Sequence, residues 1–254
     1  MNITERHQSI LQLLQEKGRV DIQELSERLQ VTGVTIRKDL KLLEERNLLF
    51  RTKGGSSIDN PYALEKPINE KEFINVDQKK KIARAAVPLT TKTDSIIIGS
   101  GTTVYELSRC LYPSKHTVVI TPALKVALEL HNRPFVEVLQ LAGLIHQSSA
   151  SAAGSFAEMI LDHISCDVLF LGADGIDPEF GISITNLNES SLNKKMINIA
   201  QQVVIMADSS KFGRRGLGRI CNLDMVQVII TDSGVADETI KLLEEKGIKV
   251  IIAD

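Results

Sequence analysis

The stretch Ser95-Ile-Ile-Ile-Gly-Ser-Gly-Thr-Thr-Val104 joins an apolar segment to a glycine-rich loop that ends in two hydroxyl residues. Three consecutive isoleucines are typical of a strand that is buried on both faces. Gly99 and Gly101 permit torsions and close approaches that are closed to other residues, and Thr103 can begin a helix whose free N–H groups point back into the loop. The stretch predicts either a cradle for an anion such as phosphate or an ordinary tight turn.

Apolar segments alternate with helical periodicity from this stretch to the C-terminus. The predicted strands are Ile96–Ile98, Val118–Ile120, Val136–Leu141, Val168–Leu171, Val203–Ala207, Val226–Thr231 and Val250–Ala253. The predicted helices between them are Thr103–Leu111, Ala123–Leu130, Ser155–Leu161, Ser190–Ala200 and Asp237–Glu245. This alternation predicts an α/β domain with a mainly parallel sheet, over residues 78–254.

Several polar residues lie in the loops that follow these strands, and parallel sheets bind ligands at the carboxyl ends of their strands. Taken singly, Lys211 could be a solvated loop lysine, and Asp174 could only hold its own turn. Taken together, the loops predict a site for a small phosphorylated polyhydroxy compound. Its candidate residues are Ser100, Gly101, Thr102, Thr103, Asp174, Gly175, Glu189, Lys194 and Lys211.

The first 57 residues predict three short helices and a hairpin. Thr4 can cap the first helix, Asp21 and Glu24 form a capping pair for the second, and a third follows over residues 34–45. A tight turn before a basic helix, followed by a glycine-tipped hairpin, is the order of a winged helix-turn-helix. The alternative is a small bundle with one solvated amphipathic helix.

Basic residues gather in the third helix and the hairpin. From Thr32 to Lys53 there are six basic residues against three acidic ones. With Ile36, Leu40 and Leu43 turned inward, the polar residues face outward, where a recognition helix contacts base edges and phosphates. The side chains predicted to contact double-stranded DNA are Thr35, Arg37, Lys38, Lys41, Arg51 and Lys53.

The connecting segment and the overall composition complete the picture. Prolines and polar residues predict a linker over residues 58–77, and the run Lys79-Lys80-Lys81 is interpreted as a solvated helix face. The chain has 254 residues and a net charge of −2, so DNA binding must rest on a local basic surface. Three dispersed cysteines and the lack of a membrane-length apolar run predict a cytoplasmic protein. Five scattered histidines predict no metal site, and we expect no cofactor.

The N-terminal residues 32–40, together with Arg51-Thr52-Lys53-Gly54-Gly55, resemble the signature of the DeoR family of bacterial sugar-responsive repressors. The resemblance implies that Thr35, Arg37 and Lys38 enter the DNA groove, whereas Arg51 and Lys53 touch the backbone from the wing. Lys53 stands where the family commonly has His.

The C-terminal segments Ser100–Thr103, Gly172–Asp177 and Ser210–Gly213 resemble the effector-domain motifs of the same family. The resemblance implies a fold like that of ribose-phosphate isomerase. It also implies a sugar phosphate held by Ser100–Thr103 and Lys211, in the branch that answers to amino-sugar or polyol phosphates. Gly99, Pro122 and Ala142 depart from the family's usual Asp, Asn and Gly.

We therefore expect a homo-oligomeric repressor, dimer or tetramer, that releases its operator when a sugar phosphate binds. One alternative is an isomerase with an appended DNA module. The isomerase's Lys-Gly-Gly-Gly stretch is replaced here by residues 180–185, so the pocket is interpreted as one that binds without chemistry. A nucleotide-dependent oxidoreductase is disfavoured because Val104 replaces the third glycine of its motif. A DNA-binding protein without any ligand stays open.

Overall fold

Residues 2–45, 48–52, 54–57 and 67–254 are described by a computed structural model, in which the chain divides into the units Met1–Leu64 and Glu65–Asp254. The helices are α1 Ile3–Lys17, α2 Ile22–Leu29, α3 Gly33–Glu45, α4 Ile68–Lys71, α5 Val76–Ala86, α6 Thr102–Cys110, α7 Leu124–Leu130, α8 Ser155–Leu161, α9 Leu187–Ile199 and α10 Asp237–Glu245. The strands are β1 Arg19–Asp21, β2 Phe50–Thr52, β3 Gly55–Ser57, β4 Ser95–Ile98, β5 Thr117–Thr121, β6 Val136–Gln140, β7 Leu144–His146, β8 Ser151–Ala153, β9 Cys166–Gly172, β10 Gly175–Asp177, β11 Gly181–Ile184, β12 Ala200–Met206, β13 Gly218–Cys221, β14 Val228–Asp232 and β15 Lys249–Ala253.

The first unit has the predicted three helices, with one correction at its start. Asn2, and not Thr4, caps α1, because the Asn2 side chain accepts from the backbone of Glu5 while the Glu5 side chain accepts from the backbone of Asn2. Asp21 caps α2 as predicted, its carboxylate accepting from the Glu24 amide at 2.7 Å. Helices α1 and α2 therefore begin at side chains that satisfy free N–H groups.

The hairpin of the first unit forms a small antiparallel sheet in the order β1-β3-β2. Of the two glycines expected at the tip of the predicted hairpin, Gly54 and Gly55, the second does not belong to the tip, since it lies in β3 opposite Asp21. A Cβ at Gly55 would come within 2.0 Å of the carbonyl oxygen of Val20. Gly55 is therefore needed for the close approach of β3 to β1.

The second unit is built on seven parallel strands in the order β15-β14-β12-β9-β4-β5-β6. All seven correspond to predicted strands. From β4 the chain moves outward in one direction through β5 and β6, and β9 then begins the run in the other direction. The sheet therefore reverses its winding between β4 and β9, the position where open α/β sheets form a ligand crevice.

The three isoleucines of β4 divide between the two faces of this sheet, as a doubly covered strand requires. Ile97 packs in the core beneath α8, α9 and α10. Ile96 and Ile98 pack in the core beneath α5, α6 and α7. All three are fully buried.

In the described residues, no helix is both long and apolar enough to cross a membrane.

Two small antiparallel elements were not predicted. The hairpin β7–β8 and the three-stranded sheet β10-β11-β13 consist of strands of three or four residues. Such short strands carry little periodic signal, which explains why the sequence did not reveal them.

Residues 67–77, which were predicted to be linker, belong to the second unit. They include α4 and the start of α5, and Ile68 is buried. The breaks in apolar periodicity that suggested a linker arise because this segment is held mainly by polar contacts. The rest of the predicted linker, residues 58–66, lies outside the described residues.

Candidate functional site

The outward face of α3 carries the predicted DNA-contacting cations. Arg37, Lys38 and Lys41 are exposed, and Val34, one turn before them, is 60% exposed. Thr35 is half-buried at the helix start, where its amide donates to the Thr32 hydroxyl at 3.3 Å. A helix with this face can present cations to phosphates and guanines.

Val34 is a candidate contact that the sequence interpretation missed. Its spacing of three, four and seven residues from the three cations places it on their face of the helix. An exposed apolar side chain on a recognition helix is suited to contact with a thymine methyl group. The spacing itself was the signal that could have found it.

The only acidic residue in the middle of α3, Asp39, is buried rather than solvated. Its carboxylate accepts from Arg6 Nε at 2.5 Å and from Arg6 Nη2 at 3.0 Å, and it lies 3.1 Å from His7 Nε2. Burial raises the pKa of Asp39, but the hydrogen bonds from Arg6 and His7 outweigh this and hold it below its usual value. The pair removes negative charge from the outward face and joins α3 to α1.

The wing residues are only partly described. Arg51 lies in β2, which pairs with β3. Lys53 lies outside the described residues. The DNA contacts assigned to both residues stay predictions.

At the carboxyl edge of the large sheet, three predicted loops follow three adjacent strands. The glycine loop follows β4, the loop with Asp174 follows β9, and the loop with Lys211 follows β12, while β9 lies between the other two strands. The Gly99 amide donates to the Phe170 carbonyl at 2.9 Å, so the first two loops begin in register. The edge therefore gathers most of the candidate residues at the point where the winding reverses.

The glycine loop leads into α6. Gly101 has a φ of +119°, a torsion that favours glycine, and no side chain caps α6 there among the described residues. Thr102 and Thr103 are buried in the first turn. The amide groups of this turn are thus available to an anion.

Gly99 fits its position for a packing reason. A Cβ at Gly99 would lie 2.5 Å from Leu171 Cδ2, and Leu171 is itself buried. An aspartate at this position would require Leu171 to move. Glycine at position 99, where the family usually has Asp, therefore fits the packing of Leu171 on the neighbouring strand β9.

Asp174 is the centre of a charged cluster, with 21% of its side chain exposed. Oδ2 accepts from the Thr185 amide and hydroxyl, both at 3.1 Å, while Oδ1 lies 3.2 Å from Lys71 Nζ and 4.0 Å from Lys211 Nζ. Burial raises the pKa of Asp174, but the charges of Lys71 and Lys211 and the hydrogen bond from the Thr185 amide outweigh this and hold the pKa below its usual value. The carboxylate is ionised and held in one orientation.

Lys79 is buried, so its interpretation as part of a solvated face is wrong. Its Nζ donates to the Lys71 carbonyl at 2.6 Å. Burial lowers the pKa of Lys79 to about 8, with Asp208 opposing the shift and Lys211 adding to it. Burial also lowers the pKa of Lys211. A buried amine costs free energy unless an anion is near, so this region favours an anionic ligand.

One further contact ties the N-terminal segment of the second unit to the same edge. Asn75 Nδ2 donates to Asp208 Oδ1 at 2.9 Å, and Asp208 also accepts from the Ser210 amide at 3.0 Å. Lys71, Asn75, Lys79 and Asp208 were not among the predicted site residues. Their positions depend on long-range packing, which local patterns do not report.

Glu189 meets the glycine loop, whereas Lys194 does not lie on the same side of α9. Ser100 Oγ donates to Glu189 Oε2 at 3.1 Å, and Glu189 is buried. Lys194 is exposed. Five residues separate the two, which turns their side chains about 140° apart around the helix. The described contacts therefore support Glu189 as a site residue and place Lys194 on the outer surface.

Gly175 and Asp177 have structural roles. A Cβ at Gly175 would lie 2.4 Å from the Arg214 carbonyl oxygen, so glycine is required by packing. Asp177 Oδ1 accepts from the Glu179 and Phe180 amides and pairs with Arg215 at 2.9 Å. Asp177 thus holds a turn.

Family models match both units of the chain. The description "DeoR C terminal sensor domain" applies to residues 74–233, and "DeoR-like helix-turn-helix domain" applies to residues 6–61. The chain belongs to the DeoR family. The family predicted from the sequence motifs is thus confirmed.

Two curated DeoR-type relatives span nearly the whole chain. A protein of Escherichia coli O157:H7 named "Putative aga operon transcriptional repressor" is 34% identical over 98% of this chain and 93% of its own length. The uncharacterized HTH-type transcriptional regulator YulB of Bacillus subtilis (strain 168) is 36% identical over 98% of this chain and 96% of its own length.

Among solved structures, the chain has partial similarity to ribose 5-phosphate isomerase A of Methanocaldococcus jannaschii. The TM-score is 0.39, with 19% identity over 54% of this chain and 55% of that one. The sorbitol operon regulator SorC of Klebsiella pneumoniae gives a TM-score of 0.39, with 13% identity over 96% of this chain and 99% of that one.

This DeoR-family chain is a DNA-binding transcriptional regulator, as its relatives are, and not an enzyme. Its partners are DNA, through the helix-turn-helix unit, and a small molecule, through the sensor domain. The predicted fold class, a winged helix-turn-helix followed by a mainly parallel α/β domain, is confirmed.

Proposed function

We propose that this regulator is a repressor of a carbohydrate-utilisation operon and that a phosphorylated sugar, bound at the carboxyl edge of the seven-stranded sheet, modulates its hold on the operator. The chain acts as a homo-oligomer, a dimer or a tetramer, because paired reading heads recognise paired half-sites. The name of one relative refers to an operon repressor, which supports the repressor sign.

One observation carries the ligand class: three adjacent strands deliver a glycine loop, an ionised aspartate and a half-buried lysine to one edge. Backbone amides at the start of α6 and the ammonium group of Lys211 suit a phosphate. The carboxylates of Asp174 and Glu189 are acceptors that suit sugar hydroxyls. A ligand with an anionic end and a polyhydroxy end satisfies both kinds of group.

Binding changes DNA affinity only if the ligand binds the DNA-competent and DNA-incompetent forms unequally. Coupling free energies between two sites are typically about 1–3 kcal/mol, equivalent to roughly 5- to 150-fold in affinity. We therefore expect a DNA affinity change in that range at saturating ligand.

The test uses an operator selected by the full chain from a pool of random DNA duplexes. Hexose, amino-sugar and polyol phosphates are titrated into the operator complex, each beside its unphosphorylated counterpart, and DNA release is followed by fluorescence anisotropy. We expect at least one phosphorylated compound to lower operator affinity about tenfold, with no effect from its counterpart. If every compound leaves the affinity unchanged, the proposal is wrong.

A matched pair of variants assigns the effect to the site. Lys211→Met is expected to abolish the response while operator affinity without ligand stays the same. Lys241→Met removes the same charge from an exposed position on α10 and serves as the control. An equal response in both variants would place the ligand elsewhere.

A further inference from the structure

The segment of residues 67–75, here called the strap, crosses the sheet edge at the start of the second unit. Polar contacts hold it along its length. The Ile68 amide donates to the Ser148 carbonyl at 2.6 Å, Lys71 pairs with Asp174 at 3.2 Å, and Asn75 donates to Asp208 at 2.9 Å. Lys125 pairs with Glu72 and also donates to Asn69 Oδ1 at 3.3 Å.

Apolar packing contributes little to the hold on the strap. Ile68 is 6% exposed, but Phe73 is 83% exposed and Ile74 is 42% exposed. Burying one isoleucine contributes about 1.5–3 kcal/mol, whereas ordering each residue costs about 1–2 kcal/mol. The position of the strap is therefore decided by its polar contacts, and two of these are made to the carboxylates of the proposed effector site.

The contact between Lys71 and Asp174 is a partly exposed ion pair, with 29% and 21% of the two side chains accessible. Ion pairs of this kind contribute little to stability, about 0–1 kcal/mol. A phosphate ester near neutral pH carries up to about two negative charges, so at equal distance it attracts an ammonium group roughly twice as strongly as one carboxylate does. Lys71 is thus placed to exchange one anion for a stronger one.

The cluster also has the charge to accept an anion. Three lysines, Lys71, Lys79 and Lys211, surround the two carboxylates of Asp174 and Asp208. Buried Lys79 holds the strap from below through the Lys71 carbonyl. Glu106 acts on Lys79 and Arg214 acts on Lys211, one charge of each sign, so the cations exceed the anions by one and a single added anion would balance the cluster.

We propose that Lys71 is an effector-binding residue and that its contact with the effector's anionic group strengthens the hold of the sheet edge on the strap. The inference rests on the proposed function, since it concerns the same ligand. In the sequence, the strap follows directly after residues 58–66, which connect the two units. Ligand occupancy would therefore change the constraint at the end of the connecting segment, a direct physical route from the sensor site to the DNA-binding unit.

The test measures two quantities on the full chain: the dissociation constant of inorganic phosphate and of the sugar-phosphate panel by calorimetry, and hydrogen exchange of residues 67–75 with and without each compound. We expect binding to slow exchange in the strap at least threefold. Lys71→Met is expected to weaken binding at least tenfold and to remove the change in exchange, whereas Lys71→Arg keeps both.

Lys81→Met is the matched control, because Lys81 is an exposed lysine on α5, the helix that follows the strap. Its binding and exchange should equal those of the wild type. The melting temperatures of all variants are compared first, and Lys71→Arg provides the comparison should Lys71→Met lose stability.

The outcomes separate the two proposals. If a phosphorylated compound binds wild type and Lys71→Met equally well, or binds without slowing exchange in the strap, the inference is wrong and the proposed function stands. If no compound binds the wild type at all, the proposed function itself fails and the inference fails with it.

Discussion

Helices α3 and α5 both carry neighbouring basic residues, but they differ in which charges are buried and which are exposed. On α3 the cations Arg37, Lys38 and Lys41 face outward while the acidic residue Asp39 is buried against Arg6. On α5 the order is reversed, since Lys79 is buried near Asp208 and its neighbour Lys81 is exposed.

The difference shows that a basic run acquires its role from the position of its carboxylates. Buried carboxylate and exposed cations leave a surface that suits the phosphates of DNA. A buried cation beside carboxylates at a sheet edge leaves an internal site that suits one small anion. Four experiments can break or sharpen this comparison.

The largest effect is expected from Asp39→Ala, which leaves Arg6 partly buried without its partner. Removing one member of a buried pair costs about 3–5 kcal/mol. Hydrogen exchange of amides in α1 and α3 should accelerate by more than a hundredfold, while amides in the large sheet keep their rates. Glu27→Ala, at an exposed position on α2, is the control and should change little. Equal, small effects of both variants would show that Asp39 does not hold the recognition helix.

Arg37→Ala should weaken binding to the selected operator by about 1–3 kcal/mol, and should weaken binding to random duplex much less, because a base contact is lost. Arg84→Ala removes an exposed arginine from α5 and should leave both affinities unchanged. The measurement is a pair of titrations at one salt concentration. Equal losses on operator and random DNA would reassign Arg37 to a phosphate contact.

Lys79 should make stability depend on pH in the alkaline range. Its folded pKa of about 8 lies below the ordinary 10.5, so between these values the unfolded chain binds more protons and stability rises with pH. Comparing wild type with Lys79→Met should give a difference on the order of 1–3 kcal/mol across this window. The groups facing Lys79 are Lys71, Lys211, Asp208 and Glu106.

The control for this titration is Lys81→Met, which should keep the wild-type slope. Denaturant unfolding from pH 7.5 to pH 10.5 provides the measurement. A slope that is unchanged by Lys79→Met would mean that Lys79 is hydrated in the folded protein.

The smallest effect is expected from Lys41→Ala, about two turns into α3. It should weaken binding to operator and random DNA by the same factor and lower the slope of log affinity against log salt by about one. Lys241→Ala on α10 is the matched control. A loss confined to the operator would give Lys41 a base contact.

The sequence was informative where each residue's role is set by its neighbours in the chain. The apolar run of Ile96–Ile98 predicted a doubly covered strand, and Asp21 predicted a helix cap. It was less informative where a role is set at long range. In the sequence, Lys79 has the polar neighbours that are typical of an exposed lysine. Its burial is seen only in the folded chain, where Lys79 packs near Asp208. The strap was likewise predicted to be linker, because the contacts that hold it are made to residues far away in the sequence.

The central claim is that the two basic regions serve two different anions, and comparing Arg37→Ala with Lys211→Met in one assay tests it most directly. Each variant is titrated with the selected operator and with the most effective sugar phosphate. We predict that Arg37→Ala loses operator affinity but binds the sugar phosphate normally, and that Lys211→Met binds the operator normally but does not respond to the sugar phosphate. If either variant loses both activities while remaining folded, or if Lys211→Met responds as the wild type does, the claim is contradicted.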